Sequence, residues 1–113
     1  MLAKKFLLTK KDIKIFFRSR TSYCAGSIVR LRTRRVIRPY TRWAFVIASK
    51  VRKNAVARNT TRRRMAEVSR HIQPKIPTGI EIVFFLTLLD KKAPSTKQLR
   101  DDMIQTLQRC GIL

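Results

Sequence analysis

The stretch of sequence that decides the fold is SKVRKNAVARNTTRRRMAE, residues 49–67. It begins where residues 42–49, which favour a strand, come to an end. From residue 54 to about residue 72 the apolar side chains recur with a helical period, within an arc of roughly 80° when each residue turns by about 100°. They are Ala57, Thr61, Met65, Val68 and Ile72. The opposite arc holds Arg58, Asn59, Arg62, Arg63 and Arg70. The pattern predicts a strand, a crossover and a helix with one packed and one cationic face.

The charge of the whole chain points to a polyanionic partner. The 113 residues include 27 Lys and Arg against 6 Asp and Glu, a formal net charge of +21. Hydrophobic residues make up 44% of the chain, which is enough for a core, so we expect one folded domain spanning residues 1–113. Between Asp12 and Glu67 there is no acidic residue, while 16 Lys and Arg fall there. Such a field favours nucleic acid as the first partner, with an anionic membrane second.

Neither export nor membrane insertion is predicted. The apolar run at residues 82–86, like every other in the chain, is far shorter than the roughly 20 residues that a membrane span needs. The basic N-terminus carries only a three-residue apolar patch before more lysines, unlike a signal peptide. The only cysteines, Cys24 and Cys110, lie far apart in sequence. We therefore expect reduced thiols in a cytoplasmic protein, with a disulfide between them as the less favoured alternative.

Flanking segments complete the order of elements. Thr9 and Asp12 predict a capped helix start. Residues 27–33 alternate and predict a strand, and residues 34–42 predict a loop or hairpin connection that includes a short edge strand at most. Residues 80–89 predict a central strand. Ser95 and Gln98 predict a second capped helix, with Leu99, Met103, Leu107 and Cys110 on one stripe.

No catalytic residue is predicted in this chain. His71, the single histidine, lies near a helix end with no acid or thiol clustered around it in the predicted arrangement. The adjacent pair Asp101 and Asp102 is predicted to lie on a solvated face rather than to hold metals. Glu67 is predicted to pair with a nearby arginine. No Gly-rich phosphate loop and no paired cysteine ligands are present.

The central stretch resembles the protein subunit of bacterial ribonuclease P. That family carries a strand ending in Ser-Lys-Lys, then Gly-(Lys/Asn)-Ala-Val, then Arg-Asn, a basic pair and Arg-Glu. The residues in register are Ser49, Lys50, Asn54, Ala55, Val56, Arg58, Asn59, Arg62, Arg63 and Glu67. The departures are Lys53 at the crossover glycine, Val51 at the second lysine, Ala66 before the glutamate, and Ile13 and Leu31 where aromatic residues are common. A lysine at the glycine position implies a turn that is strained or differently built.

The resemblance implies an α+β fold: an αβββαβα two-layer sandwich, ribosomal-protein-like, with a mixed sheet and a left-handed βαβ crossover. The chain would be the non-catalytic protein subunit of an RNA-based endoribonuclease, with precursor tRNA as substrate and magnesium held mainly by the ribonuclease P RNA. Metal ligands on the protein stay unknown, and no membrane or small-molecule partner is expected. The residues expected to bind the catalytic RNA are Lys50, Arg52, Lys53, Asn54, Arg58, Asn59, Arg62 and Arg63. Those expected to bind the 5′ leader are Ile13, Lys14, Phe17, Arg18, Leu31 and Ser49.

Three other classes share the charge and size of this chain. A small ribosomal protein that binds rRNA explains the charge equally well, but not the spacing from Ser49 to Asn59. A DNA-binding regulator is disfavoured because no two helices separated by a tight turn are visible. A membrane-active cationic protein is disfavoured by the strand-rich core.

Overall fold

The computed structural model describes residues 2–113. Its main elements are three helices and four strands, with short 3-10 turns at Lys4–Phe6 and Gln73–Lys75. In chain order they are α1 (Lys10–Arg18), β1 (Ser22–Ala25), β2 (Arg30–Arg35), β3 (Arg42–Ser49), α2 (Ala55–Ile72), β4 (Ile80–Leu88) and α3 (Thr96–Arg109). The αβββαβα order is the expected one.

The strands form one mixed sheet in the order β1-β2-β4-β3. β1 pairs with β2 and β2 with β4 in antiparallel fashion, whereas β3 and β4 run parallel. Two parallel neighbours need a crossover connection, and α2 supplies it. The predicted α+β class and mixed sheet are confirmed, and the left hand of the crossover stays a prediction.

The two faces of the sheet bury different sets of side chains. Trp43, Ile82 and Phe84 point toward α2 and α3, where Met65 and Met103 are also fully buried. Trp43 stacks on Phe84 with ring centroids 6.2 Å apart. Fully burying a large apolar side chain contributes about 1.5–3 kcal/mol, so this face supplies most of the hydrophobic stabilisation.

The opposite face is covered at one end by α1. Phe16 of α1 is fully buried and packs with Ala44 and Val83 of the sheet, together with Leu8 of the preceding segment. The sandwich of sheet with α2 and α3 therefore carries a third, partial layer. Because α1 is short, the rest of this sheet face stays open.

Helix starts follow the sequence signals closely. The Thr9 side chain accepts a hydrogen bond from the Asp12 N–H, and the Asp12 carboxylate accepts one from the Thr9 N–H. Ser95 and Gln98 form the same reciprocal pair at the start of α3. Both predicted capping boxes are confirmed. Each satisfies backbone donors that would otherwise lack a partner at a helix start.

The predicted strand at residues 27–33 is partly wrong. The chain turns between β1 and β2, and Arg30 is the first residue of the second strand. The turn is held by Asp102, whose carboxylate accepts hydrogen bonds from the N–H groups of Ser27, Ile28 and Val29 at 2.8, 2.9 and 2.8 Å. The prediction that Asp102 lies on a solvated face is therefore also wrong, since it is only 7% exposed.

The two cysteines are joined as a disulfide, so the prediction of reduced thiols is wrong. Cys24 lies on the edge strand β1 and Cys110 directly follows α3, with a Cα–Cα distance of 6.0 Å. They are 86 residues apart in sequence. Sequence spacing did not reveal the pair, because only the packing of α3 across the sheet brings them together.

Candidate nucleic-acid interface

One basic surface consists of the exposed face of α2 and the loop that precedes it. We call it the docking surface, and it comprises Lys50, Arg52, Lys53, Arg58, Asn59, Arg62 and Arg63. All are exposed except Arg58, which is half-buried. Within residues 2–113, no carboxylate forms an ion pair with any of these cations. Their charge is therefore available to a polyanion.

The crossover loop is braced from inside by two side chains. The Ser49 hydroxyl accepts hydrogen bonds from the Val51 N–H at 3.1 Å and from Asn54 Nδ2 at 2.9 Å. The same Asn54 amide donates to the Asp90 carbonyl at 3.0 Å, and Asn54 is only 4% exposed. The Asn54 side chain, expected to bind the catalytic RNA, is instead buried inside the loop. Ser49 is likewise engaged within the loop rather than turned toward a ligand.

Lys53 sits in the left-handed backbone region, with φ of 53°. This is the position at which the resemblance implies glycine. Of the two expected alternatives, a strained or a differently built turn, the positive φ favours the strained one. For a residue with a Cβ this conformation costs about 1–2 kcal/mol. Lys53 thus combines a left-handed backbone conformation with an exposed cation on the docking surface.

The polar side chains of α2 are ordered by contacts one turn apart. Arg62 donates from Nη1 to Asn59 Oδ1 at 3.1 Å, which orients both groups on the helix surface. Arg63 donates to the Thr60 hydroxyl at 3.4 Å. These neutral partners leave the guanidinium charges unneutralised. Planar guanidinium groups with free donors suit phosphate and base edges.

At the other end of α2 the single acid of the helix is neutralised. Glu67 forms an ion pair with Arg70 at 2.6 Å, as predicted, and the hydrogen bond from Arg70 holds the pKa of Glu67 well below its usual range. His71 is exposed, with Nε2 3.2 Å from Glu67 Oε1. The prediction that no acid lies near His71 is wrong, because one helical turn brings the two together.

A second surface is the open part of the sheet beside α1. We call it the cleft, and it comprises Phe17, Tyr23, Arg30, Arg32, Val46 and Phe85. Phe17, Tyr23 and Val46 are 53%, 51% and 37% exposed. The rings of Phe17 and Phe85 lie 5.9 Å apart, and the Arg32 guanidinium lies 5.1 Å from the Tyr23 ring centre. Exposed rings beside arginines form a surface on which unpaired bases stack.

Most of the residues expected to bind the leader lie on this side of the sheet, and one of them does not. Phe17 faces the cleft, Ile13 is half-buried against the α1 cluster, and Lys14 and Arg18 are exposed on α1. Leu31 is fully buried toward α2 and α3, so its predicted place in the cleft is wrong.

Alternate residues of a strand point to opposite faces of the sheet. This explains why Leu31 was wrongly expected in the cleft and why its neighbours Arg30 and Arg32 were overlooked. With Leu31 in the core, its neighbours Arg30 and Arg32 must face the cleft. In the register of the sheet they stand opposite Phe85 and Val83 of β4. The alternation of arginines along β2 is the signal that could have identified them.

A charged cluster holds α1 against the sheet. Arg42 donates to Asp12 at 3.0 Å and to Glu81 at 2.7 Å, and Arg34 donates to Glu81 at 2.9 Å. Burial raises the pKa of Asp12, but hydrogen bonds from Thr9 and the charge of Arg42 outweigh it, so the pKa lies below 3.8. The stability that this carboxylate adds is therefore present above that value and lost as the pH falls through the lowered pKa.

The described residues offer no metal centre and no membrane span. Among residues 2–113, His, Cys, Asp and Glu side chains nowhere gather in groups of three or more as a metal ion would need. No helix in the same residues is both long and apolar enough to cross a membrane.

The four-stranded mixed sheet, the crossover and the arginine-rich helix together define a small basic α+β protein. The sequence model of the Ribonuclease P family matches residues 1–111, and the chain belongs to that family. The resemblance found in residues 49–67 is thus confirmed, and the ribosomal-protein alternative is not supported.

Known proteins agree with this assignment. The ribonuclease P protein component of Pseudanabaena sp. (strain PCC 6903) is 32% identical over 74 residues, 66% of this chain and 63% of the relative. The RNase P protein of Staphylococcus aureus superposes with a TM-score of 0.78, 16% identity and coverage of 95% and 96% of the two chains. The RNase P protein of Thermotoga maritima superposes with a TM-score of 0.70 and 21% identity, covering 88% of this chain and 92% of that one. The two structures share the fold of this chain.

Proposed function

We propose that this chain is the non-catalytic protein subunit of a cytoplasmic ribonuclease P, which removes the 5′ leader of precursor tRNA. The docking surface would bind the catalytic RNA, and the cleft would bind the leader. The observation that carries the proposal is that the two surfaces lie on opposite faces of one sheet. A protein built in this way can bind an RNA partner and a single-stranded substrate at the same time.

The two surfaces meet at one end of the sheet. α1 covers the end near Arg34 and Glu81, which leaves the cleft open at the other end, where Arg30 pairs with Phe85. The crossover loop starts at this open end, since the Lys50 N–H donates to the Leu88 carbonyl at 3.0 Å. In the proposed complex Lys50, Arg52 and Lys53 would lie between the two RNAs, where phosphate repulsion is strongest.

The chain's own side chains would bind and orient RNA rather than cleave it. Magnesium, held mainly by the RNA partner, would supply the hydrolytic chemistry. The protein's contribution is positive charge near two phosphate backbones and aromatic surface under the leader bases. Both raise affinity for RNA, and the part that comes from charge weakens as the salt concentration rises.

Reconstitution tests the proposal directly. Purified protein is added to the matching ribonuclease P RNA at low magnesium, and 5′ processing of a precursor tRNA is followed. We expect faster cleavage, with a lower KM for the precursor. No stimulation with the matching RNA would contradict the proposal.

Assignment of the docking surface is tested by Arg58→Ala combined with Arg62→Ala. Since log K falls with log salt in proportion to the phosphates contacted, losing two contacts should weaken holoenzyme assembly and flatten the slope by roughly 1.4–1.8. Arg100→Ala with Arg109→Ala on α3 is the matched control, and it should leave the slope unchanged. An unchanged slope in the α2 variant would show that this helix does not touch the backbone.

A further inference from the structure

A small apolar cavity opens within the docking surface. It has a volume of about 250 Å³ and lies between α2, β3 and the segment that precedes α1. Its walls are almost entirely apolar and come from Leu2, Leu7, Phe45 and Ala66. The segment before α1 is held in place by an isolated parallel β-bridge between Leu7 and Trp43, in which the Leu8 N–H donates to the Trp43 carbonyl at 2.8 Å.

The rim of this cavity has the opposite character. Asn59, Arg62 and Arg63 line it from α2, at the spacing that places side chains on one side of a helix. Arg62 and Asn59 are hydrogen-bonded to each other. An apolar interior with a cationic rim is complementary to a ligand that has a flat hydrophobic part and a negative charge attached to it.

Size narrows the choice of occupant. Sites for drug-sized ligands typically have about 300–1,000 Å³, so this cavity admits one ring system and little more. Phe45 is half-buried and supplies an aromatic wall against which such a ring can stack. A nucleobase carries the required ring, and its own phosphate carries the charge. An apolar protein side chain would fit the interior but would leave the arginines at the rim without an anion.

We propose that this cavity receives a single unpaired nucleobase of the catalytic RNA, with its phosphate held by Arg62 and Arg63. The proposal rests on the proposed function and refines it. The helix would then contact RNA in two ways: through phosphates along its exposed face and through one extruded base beside β3. Stacking of this kind tolerates any base, whereas the neighbouring Asn59 amide can donate to and accept from a base edge.

The test is to fill the cavity without altering any charge. In Ala66→Leu the larger side chain occupies the interior. Ala93→Leu places the same change at a half-buried wall of a different cavity, which shares no lining residue with this one. We expect Ala66→Leu to weaken binding of the matching ribonuclease P RNA about 5- to 140-fold, the equivalent of about 1–3 kcal/mol for one stacked base. The slope of log K against log salt should stay unchanged because no phosphate contact is lost. Ala93→Leu should bind as the unmodified protein does.

Base-level probing gives a second measurement that is independent of affinity. Dimethyl sulfate modifies unpaired adenine and cytosine, and a second reagent directed at guanine and uracil covers the other two bases. At saturating concentration the unmodified chain should protect at least one unpaired base of the RNA from one of these reagents. The same base should become reactive in the Ala66→Leu complex. If Ala66→Leu fails to fold by circular dichroism, Phe45→Leu replaces it, because it keeps the apolar volume and removes the stacking partner.

The outcomes separate this proposal from the proposed function. If the unmodified protein does not bind the RNA at all, the function itself is wrong. If it binds and stimulates cleavage, but filling the cavity changes neither affinity nor any base reactivity, only the nucleobase site is wrong. A loss of affinity accompanied by a shallower salt slope would also overturn it, since the damage would then lie in phosphate contacts.

Discussion

Replacing Lys53 by glycine should change protein stability and RNA affinity in opposite directions. Lys53 has φ of 53°, a conformation that costs a residue with a Cβ about 1–2 kcal/mol and glycine almost nothing. Glycine also makes the unfolded chain more flexible, which lowers the free energy of unfolding by about 0.4–1 kcal/mol. The net gain for Lys53→Gly in the free energy of unfolding therefore lies between about 0 and 1.6 kcal/mol and is centred on about 0.5–1 kcal/mol.

Thermal and denaturant unfolding measure the first effect. For a domain of this size a gain of 0.5–1 kcal/mol raises Tm by about 2–6 °C. Lys53→Ala is the matched control, because it removes the same charge but keeps a Cβ in the left-handed region. Its stability should stay within about 0.5 kcal/mol of the unmodified chain.

RNA titration measures the second effect. Lys53 is an exposed cation of the docking surface, so both variants should weaken binding to ribonuclease P RNA. Each should reduce the salt slope by about 0.7–0.9, the value for one phosphate contact. If Lys53→Gly is no more stable than Lys53→Ala, the strain argument is refuted. If the slope does not change in either variant, Lys53 does not contact the RNA.

Three further perturbations address the cleft and the scaffold. Phe17→Ala should weaken binding of precursor tRNA roughly 10-fold and leave leaderless tRNA unchanged, because one stacked base contributes about 1–3 kcal/mol; equal losses on both substrates would place Phe17 outside the leader path. Asp102→Ala should lower the free energy of unfolding by about 2–4 kcal/mol, because three backbone N–H groups lose their acceptor. In the same urea titration the control Asp101→Ala should stay within about 0.5 kcal/mol of the unmodified chain. Similar values for the two variants would refute the structural role of Asp102. Replacing Cys24 and Cys110 together by serine should lower the free energy of unfolding by about 2–4 kcal/mol relative to the oxidised protein. Reductant should have no further effect on the stability of this variant. A variant as stable as the oxidised chain would show that the disulfide contributes nothing.

The helices and the main strands could be predicted from sequence because their signals are local. The capping residues Thr9 and Ser95 lie three positions from their partners, and the apolar stripe of α2 repeats within the helix itself. β3 and β4 begin at Arg42 and Ile80, within one residue of the expected boundaries. Such patterns depend on neighbours in the chain, so they survive without knowledge of the fold.

The candidate site was only partly predictable, for a related reason. That α2 is cationic follows from composition and period, but the inward turn of Asn54 depends on the carbonyl of Asp90, 36 residues away. The placement of Leu31 depends on which face of the sheet each strand turns to the core. The alternation of arginines with Leu31 separates the two faces of β2. It does not show which of the two faces α1 covers, and only the packed structure supplies that.

The sequence by itself indicated a basic α+β domain with an arginine-rich helix after a crossover, and it favoured a polyanion as the partner. Tertiary structure alone decided where the cleft opens, that Arg30 and Arg32 line it, and that Asp102 and the Cys24–Cys110 disulfide hold its edge strand. The physical reason is the distance along the chain over which each kind of interaction acts. Caps, periods and net charge are properties of adjacent residues, whereas burial, strand facing and cross-chain hydrogen bonds exist only after distant segments have packed.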